Sequence, residues 1–228
     1  MPRETKETKR ARARRIVRAL RALYPDSRCS LDFRNPFELV IAVILSAQCT
    51  DATVNKVTPG LFARWPTPQA LADAPQAEVE RVVRPTGYYS AKARNIRGAA
   101  AMIAERHGGR VPETMEELVE LPGVGRKTAN VVLWNAHGKN EGIAVDTHVL
   151  RIAKRLALAT TERPEKTERE LADLVPRNEW GHLTHLLIDH GRAVCVARSP
   201  RCESCRIAAL CPTGPRVLAA RAAARTRS

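Results

Sequence analysis

The chain has 228 residues, a formal net charge of +14 and six cysteines. That length supports one large or two modest domains with real cores, and the arginine-rich surplus of charge suits a polyanion. No apolar run approaches the length of a membrane span, residues 39–47 being far too short, and the first residues lack an apolar signal core; a cytosolic location with no membrane partner is expected, where thiols stay reduced.

Residues 1–12 are polar and basic and are expected to fray. Ile16, Val17, Leu20 and Leu23 then recur at helical spacing, and Pro25 stops that helix. Cys29 follows in a loop as a small packing residue. Asn35-Pro36-Phe37-Glu38 is a helix start, with a cap, a proline at the first position and a glutamate three after the cap. The helix over 37–47 is apolar all round and should be the central buried helix of a domain. It ends in Leu45-Ser46-Ala47-Gln48-Cys49-Thr50-Asp51, where Asp51 can cap a helix over 52–64 that Pro59 kinks. Thr67-Pro68 and Pro75 open two short helices, and Pro85-Thr86-Gly87 breaks the second. Tyr88-Tyr89-Ser90 leads into a long helix over 91–106, closed by Gly108-Gly109. Lys92, Arg94 and Arg97 add positive charge there or form a solvated face.

Leu121-Pro122-Gly123-Val124-Gly125-Arg126-Lys127-Thr128-Ala129-Asn130 organises the rest of the chain. Residues 115–120 read as the end of a short amphipathic helix that Pro122 and Gly123 stop, and a second starts near Gly125 and closes near His137-Gly138. The first N–H groups of the second helix lack intrahelical partners and lie at its positive end. Gly123, Val124 and Gly125 leave room for a phosphate to approach them, with no demand on base sequence. A plain αα-corner is the other reading of such a turn. Lys127 at this end is equally a phosphate-binding lysine. Residues 139–142 are polar and look like a crossing between domains. Asp146-Thr147-His148-Val149 then starts a helix, and by sequence alone Asp146 is its N-cap. Residues 164–175 and 179–190 make two further helices. No alternating strand occurs, so the chain reads as all-α.

Cys195, Cys202, Cys205 and Cys211 are spaced C-x6-C-x2-C-x5-C. Four thiols this close fit a tetrahedral zinc site or a [4Fe–4S] cluster, with two disulfides as a third reading. Zinc ribbons usually present two C-x2-C knuckles, and this stretch has one. The bound group would organise a segment too short to have a core, and would hold Arg198 and Arg201 on a rigid loop where they can meet phosphates. From Pro212 onward the chain is Ala/Arg-rich and reads as a loose tail.

The Leu-Pro-Gly-Val-Gly-Arg-Lys-Thr-Ala string resembles the helix–hairpin–helix of the endonuclease III family of DNA glycosylases and AP lyases, and the similarity extends from about Leu31 to Cys211. The resemblance implies a glycosylase fold with a helical barrel and a [4Fe–4S] cluster domain. It implies that Gln48 enters the DNA stack and fills the space left by a flipped nucleotide, and that Tyr88 is a wedge beside the damaged base, where several relatives carry an aliphatic residue. Lys127 matches the nucleophilic lysine and Asp146 the catalytic aspartate. The cysteine spacing matches the family's cluster. The expected partner is double-stranded DNA containing damaged bases or abasic sites, bound by a monomer.

The expected domains are 30–138, the barrel ending in the hairpin helix, and a discontinuous cluster domain of 1–29 with 139–228. Lys127 and Asp146 are expected to face a cleft between them. A free lysine is neutral in about one molecule in 2,500 at pH 7, so burial and the positive helix end are expected to favour the reactive amine. The implied reaction removes an oxidised pyrimidine through a lysine Schiff base and cuts the strand by β-elimination. Two alternatives stand beside it: a monofunctional, mismatch-type glycosylase using Asp146 and water, and a non-catalytic DNA-binding module with a structural metal.

Overall fold

A computed structural model describes residues 4–225 of the chain. The fold is all-α, with no strand among the described residues. The helices are α1 Lys6–Leu23, α2 Pro36–Leu45, α3 Asp51–Arg64, α4 Pro68–Asp73, α5 Gln76–Val83, α6 Tyr89–Arg106, α7 Met115–Glu120, α8 Arg126–His137, α9 Thr147–Arg155, α10 Pro164–Ala172, α11 Trp180–Ala193 and α12 Gly214–Arg225. They fall into two compact units, Cys29–Glu141, and Met1–Arg28 with Gly142–Ser228. Among the described residues no helix is long and apolar enough to cross a membrane.

In the unit Cys29–Glu141, α2 is the central rod. Asn35 Oδ1 accepts from the Glu38 amide at 2.9 Å, Pro36 occupies the first turn, and every residue from Phe37 to Leu45 is buried. Leu39, Ile41 and Leu45 are fully enclosed, and burying each such side chain contributes about 1.5–3 kcal/mol. Glu38 is buried too, and its carboxylate oxygens are engaged by Arg34, which donates its backbone N–H at 2.8 Å and its guanidinium at 2.6 Å. α8 packs on α2, and α4 and α5 pack on α6. Asp51 does not cap α3. Thr50 does, its hydroxyl accepting from the Thr53 amide at 3.2 Å, while the Asp51 carboxylate accepts from Ser30 Oγ at 2.6 Å.

The other unit joins α1 to α9–α12. Ala13, Ile16, Val17 and Leu20 line one face of α1, which packs on α11. Of the fraying expected over 1–12, residues 1–3 lie outside the described residues, and the rest is corrected to helix from Lys6. Thr5 caps it, Arg12 pairs with Glu4, and Arg10 donates to the Asp173 carbonyl at 2.8 Å. The loose tail expected from Pro212 onward is likewise corrected to α12 as far as Arg225, residues 226–228 lying outside the described residues. Thr213 Oγ1 donates to the Arg155 carbonyl at 2.6 Å, and Arg221 pairs with Glu203 at 2.7 Å. In both cases distant partners satisfy polar groups that the local sequence leaves open.

Candidate active site

The hairpin is seated against the core of its unit. Gly123 has φ +81°, and a Cβ there would lie 3.0 Å from Asn95 on α6 and 3.1 Å from Ile44 on α2. Backbone conformation and space both demand glycine. Pro122 is held similarly, because a Cβ on Gly98 would meet its ring at 3.1 Å. Gly125 differs. Its φ is −97°, and a Cβ would meet nothing within 4 Å. The fold therefore does not require glycine at 125; its bare Cα leaves open space above the N-terminus of α8. No side chain caps α8, so its first turn presents amides and the positive end of its dipole to whatever approaches.

Lys127 lies in this first turn. The burial expected for it is not found: the side chain is exposed. The hairpin lifts the start of α8 clear of the core, which ends at Val124 and resumes at Ala129. Its charge is felt by Cys29, whose thiol burial pushes up and Lys127 partly pulls back.

Asp146 caps α9. Its Oδ1 accepts from the Val149 amide at 2.8 Å, and Oδ2 lies 3.3 Å from His148 Nδ1. The cap holds the carboxylate in one orientation while leaving it partly open to solvent.

Gln48 and Tyr88 are both exposed and both left-handed, with φ of 52° and 46°. Tyr88 is 69% exposed, unusual for an aromatic side chain.

Cys195, Cys202, Cys205 and Cys211 are half-buried, and all four line one small cavity with Ile152, Arg155 and His190. Burial pushes the Cys202 and Cys205 thiols up, and the charges of the neighbouring thiols add to it. Among the described residues, no three His, Cys, Asp or Glu side chains are gathered closely enough to hold one ion. The loop is built by arginines. Arg155 donates to the carbonyls of Val196 at 2.8 Å and Ala197 at 2.6 Å, and to Cys195 Sγ at 3.4 Å; Arg151 donates to the Cys195 carbonyl at 3.3 Å. His190 Nε2 lies 3.7 Å from Cys205 Sγ. Arg198 and Arg201 are exposed on this loop, with Arg201 also donating to the Ala193 carbonyl at 3.3 Å. Sequence reasoning passed over Arg155. Its only signal was its place, with Lys154, in the last turn of a helix that precedes the cysteines.

Residues 41–177 match the family model of the HhH-GPD superfamily base excision DNA repair protein. The chain is 50% identical over 206 residues to endonuclease III of Synechocystis sp., covering 90% of this chain and 94% of that one. It is 44% identical over 202 residues to endonuclease III of Escherichia coli strain K12, covering 89% and 95%. The structure of a non-covalent endonuclease III–DNA complex matches with a TM-score of 0.87 at 44% identity, covering 95% of this chain and 99% of that one. A trapped endonuclease III–DNA covalent intermediate matches equally well, with a TM-score of 0.87 at 44% identity over 95% of this chain and all, 100%, of that one.

Proposed function

The chain belongs to the endonuclease III family within the HhH-GPD superfamily of base excision DNA repair proteins, and from that premise we propose how its own residues carry out the reaction. It is a bifunctional DNA N-glycosylase and AP lyase that removes oxidised pyrimidines from double-stranded DNA and also acts on abasic sites. The observation that carries this reading is an exposed lysine, Lys127, in the uncapped first turn of a helix that follows an open glycine, Gly125.

The amides around Val124 and Gly125 take a backbone phosphate without reading sequence. The damaged nucleotide must leave the stack before its C1′ can be reached; Gln48 fills the gap and offers donors and acceptors to the orphaned base, and Tyr88 wedges beside it. Lys127 Nζ attacks C1′, and the glycosidic bond breaks with its electron pair on the departing base, which takes up a proton; the new C1′–N group gives up one proton, and the C1′–O4′ bond then opens, O4′ taking a proton, to leave a protonated imine at C1′. Asp146 accepts a proton from the amine and stabilises the cationic sugar. The imine acidifies C2′–H, and loss of that proton expels the 3′ phosphate.

Cys195, Cys202, Cys205 and Cys211 would hold a [4Fe–4S] cluster. The fit rests on the donor set: four half-buried cysteines line one shared space, and four thiolates are the ligand set such a cluster takes. Such a cluster would supply a rigid anchor for the loop bearing Arg198 and Arg201, placing them where they can meet phosphates. The enzyme is read as a monomer of the cytoplasm, associated with the nucleoid if the cell is bacterial.

Borohydride trapping on a duplex with one oxidised pyrimidine tests the chemistry. A covalent adduct is expected with wild type and none with Lys127→Ala. Base release without an adduct would instead assign a water nucleophile and a monofunctional enzyme.

A further inference from the structure

Lys92 on α6 is a lysine the chemistry above does not use, yet it is only 4% exposed. Burial disfavours its ammonium, and the nearby Cys49 thiol partly offsets this. Sequestering a lysine among apolar side chains is costly unless its head group is engaged. Here Nζ donates to the Thr86 carbonyl at 2.6 Å, and Thr86 is itself buried, its hydroxyl donating to the Val83 carbonyl at 2.8 Å. The backbone N–H of Lys92 donates to the Tyr88 carbonyl at 3.0 Å. One residue thus grips the chain on both sides of Gly87 and Tyr88.

Those two residues are the strained part of the turn. Gly87 has φ 68° and ψ 162°, a region essentially reserved for glycine, and Tyr88 follows with φ 46° and ψ 32°. Tyr88 has no side-chain cap bond, and its ring stands in solvent. Nothing in the aromatic ring's own packing explains the strain, and Lys92 is the side chain that binds the backbone just before it. We propose that Lys92 is a positioning residue that locks the Gly87–Tyr88 turn in its left-handed shape and so presents Tyr88 to the DNA stack already ordered. This rests on Tyr88 being the wedge. A wedge that is rigid beforehand spends less binding free energy on ordering itself when it enters the duplex.

A double-mutant cycle tests this, with 2-aminopurine fluorescence beside the lesion reporting nucleotide flipping. Lys92→Met is expected to reduce flipping and base excision about tenfold or more. Cleavage of a preformed abasic site, which has no base to unstack, should change far less. Combined with Tyr88→Ala, Lys92→Met should add almost nothing, because the two act as one unit. Fully additive losses, or equal losses on both substrates, would overturn the proposal. If Tyr88→Ala flips like wild type, the wedge role falls and Lys92's with it; if only Lys92→Met is silent, Lys92's role alone falls. Should Lys92→Met fail to fold, Gly87→Ala carries the test. A Cβ at 87 meets open space, so it disturbs the turn alone and should give the same selective loss. Wild-type flipping in that variant would overturn the proposal.

Discussion

Gln48 and Tyr88 sit on different turns of the same unit and share one backbone state, the left-handed region, at φ 52° and 46°. Such a conformation costs on the order of 1–3 kcal/mol for a residue other than glycine, and it persists where the surroundings impose it, often at ligand clamps. Neither side chain repays that cost by its own burial. Gln48→Gly should therefore keep or raise the thermal midpoint while excision from a stacked duplex falls by about tenfold or more. Differential scanning fluorimetry and single-turnover excision read the two effects separately.

Asp146 has a structural task and a proposed chemical one, and two substitutions separate them. Asparagine is as good an N-cap as aspartate, so Asp146→Asn should leave stability nearly unchanged while removing the carboxylate from the reaction. Asp146→Ala should lose both, with about 1 kcal/mol of stability gone through the cap. Urea denaturation gives the stability, and base excision by the same proteins gives the chemistry.

The two hairpin glycines should fail in opposite ways. Gly123→Ala forces a Cβ to 3.0 Å from Asn95 at a positive φ, and should destabilise the fold by roughly 1–3 kcal/mol. Gly125→Ala should fold normally but bind DNA more weakly, because its Cβ occupies the space proposed for the phosphate. Fluorescence anisotropy across a salt series checks the second. Wild-type affinity should fall steeply with salt, as expected for phosphate contacts.

With the proposed iron–sulfur group bound at the four cysteines, Arg155→Gln should weaken its retention by about 10–100-fold, as loss of a residue that orients ligands usually does. The guanidinium holds Val196, Ala197 and the Cys195 sulfur at once, and an amide cannot reach all of them. Bleaching of the visible absorbance under a chelator measures it.

Acid should destabilise the protein from about pH 6.5 downward. Burial lowers the proton affinity of His137, His182 and His185 in the folded state, with Asp189 only partly offsetting this at His185. Between each lowered folded value and the ordinary unfolded one, the unfolded chain binds more protons. Stability therefore rises with pH through that window, is complete above the unfolded value, and is lost as pH falls below it. His185→Gln should flatten the dependence in chemical denaturation at pH 5.5 to 7.5, a range of about two units around the ordinary histidine value.

Much of the fold was legible because its signals act within one helical turn. Asn35, Thr67 and Asp146 cap helices through bonds three residues along, and Pro122 with Gly123 turns the chain wherever the hairpin is placed. The all-apolar run from Leu39 to Leu45 leaves its helix no place but a core.

What only the tertiary structure decided depends on partners far apart in sequence. Thr50 caps α3 because Ser30 engages the Asp51 carboxylate, and α1 begins at Lys6 because Asp173 and Glu4 take up its basic side chains. Lys127 is exposed because the hairpin rests on Asn95 and Ile44 and raises the start of α8 off the core. Arg155 and Lys92 read as ordinary surface cations until folding aims one at the cysteine loop and buries the other under the Tyr88 turn. Local sequence sets what each segment can form; which polar groups are left for a distant cation is settled only when the chain packs and excludes water from them.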